Sequence, residues 1–234
     1  MSGPRPRLAL LDASQGETST RRNFRRELDA DLAEFDVSGG EFPSSFDFDG
    51  VVVTGSKASV YWEDAWIADL LSWVREAVDR GLPALGVCFG HQVLAEALGG
   101  RVEAMDDWEI GYRDVHHSGN SRLFDGVGET FTAFTTHSDA VVELPPGARR
   151  IAENDYGIHG FERGNVFTVQ FHPEYDPETA REVASGKPLS EERLSRVLAD
   201  VDEEHYAAAC EVKRLFDNFV AYVREVERER AAAD

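Results

Sequence analysis

A cysteine, a histidine and a glutamate stand out in this sequence because of what flanks them. Cys88 lies in GVCFG, where Gly86 and Gly90 complete the pattern G-x-C-x-G, the thiol counterpart of the strained G-x-S-x-G turn that lifts a nucleophile clear of a sheet. Small residues suit such a turn because it is tight and a neighbouring chain passes close. A thiol at a helix start faces unpaired N–H groups and the positive end of the dipole, which favour a thiolate. The same cysteine could equally be a small group buried at a strand end, as free cysteines often are. Far downstream, VFTVQFHPEY delivers His172, Pro173 and Glu174. Proline biases the residue before it towards extended backbone, and in an extended segment alternate residues face the same side. His172 and Glu174 can therefore face one site. A cysteine, a histidine to take its proton and a carboxylate to orient the histidine form an activated nucleophile.

The elements that must position these groups are legible on either side of them. Leu82–Val87 is a short apolar run that reads as a buried strand, and Phe89–Leu98 has helical spacing closed by Gly99-Gly100, so Cys88 falls at a strand-to-helix junction. Val166–Phe171 reads as a second apolar strand leading into His172. Earlier, Arg7–Leu11 reads as a strand, Ala13–Thr20 as a polar loop, Thr20–Glu34 as a helix, and a short strand is expected around Ala33–Val37. Val51–Thr54 is a strand apolar on both faces, and Trp62–Arg80 a long amphipathic helix, as in a parallel sheet covered on both sides. Strands alternating with helices predict an α/β fold with an open, mostly parallel central sheet flanked by helices.

Between Arg101 and Glu153 the pattern turns to short strands, RVEAM, GYRDVHH, TFTAFTTH and AVVELP, which predict an antiparallel edge or flap. His116-His117 is not a metal site by this reading, because adjacent strand residues face opposite ways and no ligand stands at suitable spacing. GVVVTGSK at Gly50–Lys57 approaches a phosphate-binding loop, but its lysine and serine are in the wrong order and its middle is strand. Past Tyr175, helices are expected near Asp176–Pro188, Leu189–Ala199 and His205–Arg230, the last packing through Leu215, Phe216, Phe219 and Val223 and carrying Cys210 as a packing residue. The terminal VERERAAAD loses the apolar stripe and is expected to fray.

With 234 residues, 42% of them apolar, the chain can bury one substantial core. The expectation is a single domain over residues 1–234, with a core near 7–175 and a helical extension near 176–234. A formal charge of −20 argues against nucleic acid or anionic membrane as a partner. Only three lysines, Lys57, Lys187 and Lys213, accompany abundant arginine and aspartate, a bias similar to that of proteins from salt-loving organisms. Two cysteines make a disulfide framework implausible and imply a reducing compartment. The polar start, MSGPRPRLALLD, carries no signal-length apolar run, and the expected location is the cytoplasm.

Five segments, VVVTGS, GVCFGHQ, EIGY, THSDAV and QFHPE, occur in the order and approximate spacing of the class I, triad-type glutamine amidotransferases. The chain resembles that family, in the pattern of the glutaminase part of GMP synthase, over roughly residues 7 to 175. The resemblance implies a flavodoxin-like fold and a triad of Cys88, His172 and Glu174. It implies an oxyanion hole from backbone N–H groups near Gly55 and Ser56 with that of Phe89, and glutamine binding by Gln92, Thr136, His137 and Ser138. The family often has two glycines and a proline where this chain has Thr54, Gly55 and Ser56. The implied reaction hydrolyses the side-chain amide of L-glutamine through a γ-glutamyl thioester, without metal or organic cofactor, and sends ammonia to an acceptor on a separate synthetase. Two alternatives stay open: a γ-glutamyl hydrolase acting on γ-glutamyl conjugates, and a catalytically silent regulatory subunit.

Overall fold

Alternation along the first strands decides the layering of the molecule. In a computed structural model, which describes residues 5–117 and 119–233, the chain opens with β1 (Arg7–Asp12), α1 (Thr18–Glu27), β2 (Asp31–Asp36), β3 (Gly50–Val53), α2 (Ala65–Asp79), β4 (Ala84–Val87) and α3 (Phe89–Ala97). It continues through β5 (Arg101–His117), β6 (Thr130–Glu143), β7 (Arg149–Asn154), β8 (Gly157–Arg163) and β9 (Val166–Val169). It closes with α4 (Pro177–Ser185), α5 (Glu191–Ala199), α6 (Glu203–Ala209) and α7 (Arg214–Ala233). Leu8, Leu10, Val52, Leu85 and Val169 point to one face, where Phe24 of α1 and Phe216, Phe219 and Val223 of α7 cover them. Ala9, Leu11, Val51, Val53 and Ala84 point to the other, under Leu70, Trp73 and Val74 of α2 and Val93 and Leu94 of α3. Strands β1, β3, β4 and β9 are thus buried on both sides, as their continuous apolar runs require, while β2 at the edge is only half-buried.

The nine strands form one sheet in the order β2-β1-β3-β4-β9-β8-β7-β5-β6. The first five are parallel, and β8, β7, β5 and β6 add antiparallel pairing. The expected α/β sheet with an antiparallel edge therefore forms. Its short edge strands merge into one long β5–β6 hairpin, irregular between Ala104 and Glu109. A third apolar cluster joins Ile110, Tyr112 and Phe134 of that hairpin to Ala180, Ala184, Val197 and Val201 of the extension.

Several boundaries depart from expectation. The helix read from Thr20 to Glu34 begins at Thr18 and stops at Glu27, because Asp31–Asp36 pairs in register with β1. Trp62 precedes α2 and is exposed. The long C-terminal helix is broken at Cys210, which caps α6 and is exposed rather than packed. Helical backbone then continues to Ala233, where fraying was expected; the first four residues of the polar start and the last residue of the tail, Asp234, lie outside the described residues. Among the described residues, no helix is long and apolar enough to cross a membrane.

The junction between β4 and α3 is the tightest place in the fold. A side chain on Gly86 would press into the Gly90 carbonyl, and one on Gly90 would drive into the Val53 carbonyl of β3. Gly90→Ala is expected to cost about 2–3 kcal/mol through this overpacking. A denaturation midpoint equal to that of the parent would show that the turn relaxes freely around the added methyl.

Candidate active site

Cys88 is held where a nucleophile is wanted. It joins β4 to α3 with φ 53° and ψ −104°, one of two non-glycine residues with positive φ among those described. Such a conformation costs of order 1–3 kcal/mol and persists only where surroundings enforce it. Here the Cys88 N–H donates to the Val169 carbonyl at 2.8 Å, and Gln92 N–H donates to the Cys88 carbonyl at 3.2 Å. The amides of a first helical turn have no intrahelical acceptor, so the N–H of Phe89, first residue of α3, stands beside the sulfur's own residue.

Parallel pairing of β4 with β9 brings the histidine segment alongside. Val87 lies opposite Val169, so Cys88 and Gln170 leave adjacent strands at the same end of the sheet, where α/β proteins place their ligands. Gln170 Nε2 approaches Cys88 Sγ at 3.6 Å. His172 is anchored through its N–H to the Phe134 carbonyl of β6 at 2.8 Å, and its imidazole and Cys88 both border Gly55. His172 Nδ1 meets Glu174 Oε1 at 2.8 Å, and Tyr175 stacks on the imidazole at a centroid separation of 4.1 Å. All of Cys88, His172 and Glu174 are buried. Burial alone would lower the His172 pKa, but Cys88 and Glu174 outweigh it and raise it to about 10. Both neighbours thus favour the protonated imidazole.

Helix α1 buttresses this arrangement. Arg26 donates to the Glu174 carbonyl at 2.5 Å and to Asp176 at 2.8 Å, while Asn23 donates to Thr179 at 3.0 Å. Asp176 also caps α4 through the Thr179 N–H at 2.8 Å, a carboxylate at a helix start where the dipole favours it.

The other residues singled out from the sequence converge on the same place. Gly55 backs directly onto the imidazole: a Cβ there would stand 3.0 Å from His172 Cε1 and 3.7 Å from Cys88 Cβ. Two small adjoining depressions, of about 20 and 40 Å³, share Ser56, Lys57, Thr136 and Lys187, the first lined by His172 and Glu174. The second is lined by Cys88, Phe89, Gln92, His137 and Ser138 as well. Gln92 is fixed within it, its Nε2 donating to the Asp139 carbonyl at 3.2 Å and to Gln170 Oε1 at 3.1 Å. His91 points elsewhere, buried and bonded to Thr168 Oγ1 at 2.8 Å, and burial pushes its pKa well below the ordinary value.

Beneath the cleft lies a buried hub that the motifs only half revealed. Glu109 Oε2 accepts from His137 Nε2 at 2.7 Å and His159 Nε2 at 3.0 Å, and its other oxygen accepts from Asn154 Nδ2 at 2.6 Å. The ligand-type atoms of Glu109, His137 and His159 lie within 4.8 Å of one another. These are hydrogen-bond separations between nitrogens and a shared oxygen, so the cluster is a lock joining β5, β6, β7 and β8. EIGY and THSDAV contained two members; His159 and Asn154 lay in strands whose sequence held no motif. Gln170 stood inside QFHPE without a role, Asp139 was hidden by its backbone setting, and Lys187 carried only the signal of lysine scarcity.

With this geometry in view, comparison with known proteins is decisive on family. The glutamine amidotransferase class-I family model matches residues 13–185. Over 173 residues the chain is 34% identical to GMP synthase (glutamine-hydrolyzing) of Vibrio vulnificus, an alignment covering 72% of this chain and 32% of that relative. The corresponding enzyme of Aliivibrio fischeri is 33% identical over the same length. The chain thus spans about a third of the length of these relatives. In fold it is similar to a glutamine amidotransferase from Thermotoga maritima, with TM-score 0.77, 21% identity and coverage of 93% of this chain and 99% of the other. A Thermoplasma acidophilum protein, thought to be one of the subunits of a GMP synthase, gives TM-score 0.66 at 21% identity, covering 97% and 100%. The chain belongs to the class I glutamine amidotransferases, a family of enzymes.

The hub makes stability depend on acid. Burial would raise the Glu109 pKa, but hydrogen bonds from His137 and His159 lower it to about 2. A carboxyl depressed below its unfolded value stabilises the fold above that value, and the contribution is lost as pH falls through the folded one. Glu109→Ala is expected to cost about 3 kcal/mol at neutral pH and to flatten the acid limb of stability between about 4.5 and 2. Equal pH profiles for the two proteins in urea titrations would contradict this.

Proposed function

We propose that the chain hydrolyses the side-chain amide of L-glutamine, with Cys88 as nucleophile, His172 as proton carrier and Glu174 as the group that orients it. The observation that carries this reading is the gathering of Cys88, His172 and Glu174 at a strained strand-to-helix turn, the imidazole bonded to the carboxylate and bordering Gly55 together with Cys88. In the proposed resting state Cys88 has passed its proton to His172, whose protonated form its neighbours favour. Sulfur attacks the amide carbon, and the resulting oxyanion is met by the N–H groups near Gly55, Ser56 and Phe89, each such donor being worth roughly 3 kcal/mol. The imidazolium gives its proton to the amide nitrogen, the C–N bond breaks, and ammonia leaves a γ-glutamyl thioester. Neutral His172 then takes a proton from water; hydroxide adds to the acyl carbon, glutamate departs and the thiolate–imidazolium pair is restored. Gln92, Thr136, His137 and Ser138 form the wall that receives the amino-acid end of the substrate.

The relatives bear the name GMP synthase, which supports an ammonia-accepting synthetase as partner, and free Cys88 and Cys210 suit a reducing cytoplasm. The test is ammonia release from L-glutamine, alone and with a synthetase of GMP synthase type. Cys88→Ala and His172→Ala are each expected to lower turnover by roughly a thousandfold or more. Unchanged release in either would remove that residue from the mechanism.

The rate should also fall as pH rises through about 10, where His172 loses its proton. A group raised above its usual 6.5 keeps its proton, and the stability linked to it, below that pH and loses both on passing the folded value. Glu174→Gln removes one of the charges that raise it, so the alkaline limb should move to lower pH. A limb that stays in place would assign the proton to another group.

A further inference from the structure

We propose that Lys187 is a substrate-binding residue: the C-terminal extension places its ammonium in the cleft to hold the α-carboxylate of the γ-glutamyl substrate. The inference rests on the glutaminase reading above and adds a contact that none of the family segments contains.

Three observations carry it. First, of the chain's three lysines, Lys57 pairs with Glu17 at 2.6 Å and Lys213 with Glu27 at 2.6 Å. Lys187 makes no ion pair or hydrogen bond through its ammonium among the described residues; its Nζ lies 4.5 Å above the Trp108 ring. In a chain with 44 carboxylate side chains, a partly buried cation without a carboxylate partner is conspicuous, since burying charge without a counter-ion is unfavourable. Burial accordingly lowers its pKa.

Second, position. Lys187 lines both depressions, the one with Cys88 and Gln92 and the one with His172. The carboxylates that line these depressions are engaged elsewhere, Glu17 by Lys57, Glu174 by His172 and Asp139 by the Ser59 and Tyr61 hydroxyls. A substrate whose amide carbon sits at Cys88 directs its amino-acid end along Gln92 and residues 136–139, the wall that Lys187 faces across the cleft.

Third, the lysine is built in rather than dangling. Its N–H donates to the Ala184 carbonyl at 3.1 Å, its carbonyl accepts from Leu189 N–H at 2.8 Å, and Leu189 and Leu194 pack into the third apolar cluster. Arg193 of α5 grips Asp107 at 2.7 Å and the Trp108 carbonyl, fixing the aromatic ring under the ammonium. A cation over an indole face is attracted to it, which keeps the side chain in the cleft when it holds no anion.

The experiment measures Cys88 alkylation by 6-diazo-5-oxo-L-norleucine, which carries the glutamine α-carboxylate, and by iodoacetamide, which does not. Lys187→Met should slow the diazoketone about tenfold, the scale of a lost charge-assisted hydrogen bond, and leave iodoacetamide unchanged; Lys187→Arg should restore most of the rate. In turnover, Lys187→Met should raise KM for L-glutamine with little change in kcat, and should erase the preference for L-glutamine over its α-methyl ester. Equal diazoketone rates in Lys187→Met and the parent would overturn the role of Lys187 and leave the reaction standing. A parent whose Cys88 reacts with iodoacetamide but not with the diazoketone would overturn the reaction and this inference with it. An equal slowing of both reagents in Lys187→Met would overturn the contact, showing that the substitution disturbs the thiol instead.

Discussion

The site depends first on the parallel pairing of β4 with β9. The Cys88 N–H closes onto the Val169 carbonyl, and that bond makes two chain segments far apart in sequence end side by side. Every other feature of the centre builds on this closure: Gln170 beside the sulfur, His172 two residues on, and Glu174 reached through a turn at Pro173-Glu174 that the Tyr175 N–H closes onto the His172 carbonyl. Long-range parallel pairing is entropically expensive to form. The strands that form it are accordingly among the most completely buried in the molecule.

Around that closure the protein uses two kinds of support. On one side, charge-assisted bonds from Arg26 and the amide of Asn23 tie α1 to the segment that follows His172. On the other, the Glu109 hub binds the antiparallel strands under the wall of residues 136–139. The hub is polar and withdrawn from solvent, so it is worth more satisfied than a surface pair and costs more when broken; the Arg26 side chain is exposed, and its pair with Asp176 contributes modestly.

The parts of this design that were legible from sequence share a cause. Cys88, Gly86 and Gly90 announce a turn because only small residues fit against the Gly90 and Val53 carbonyls, and apolar runs announce strands because both faces are covered. The pairing of His172 with Glu174 was readable because it is local, although a turn at Pro173-Glu174, and not the expected extended step, brings the two side chains together. What was not legible depends on partners distant in the chain. The helix after the first loop looked longer than Thr18–Glu27 because strand pairing of Asp31–Asp36 overrides local preference. The break at Cys210 interrupts an otherwise continuous apolar stripe. His159 and Asn154 gain meaning only from a carboxylate on another strand.

The contact of Gly90 with the Val53 carbonyl also determines which walls of the cleft can yield. With α3 seated backbone to backbone on β3, sliding or tilting that helix would press Gly90 into the Val53 carbonyl, so the floor of the cleft behaves as a fixed anvil. The opening is edged by side chains from residues 55–57 and from Val183 and Lys187, whose backbones make no such close approach to the sheet.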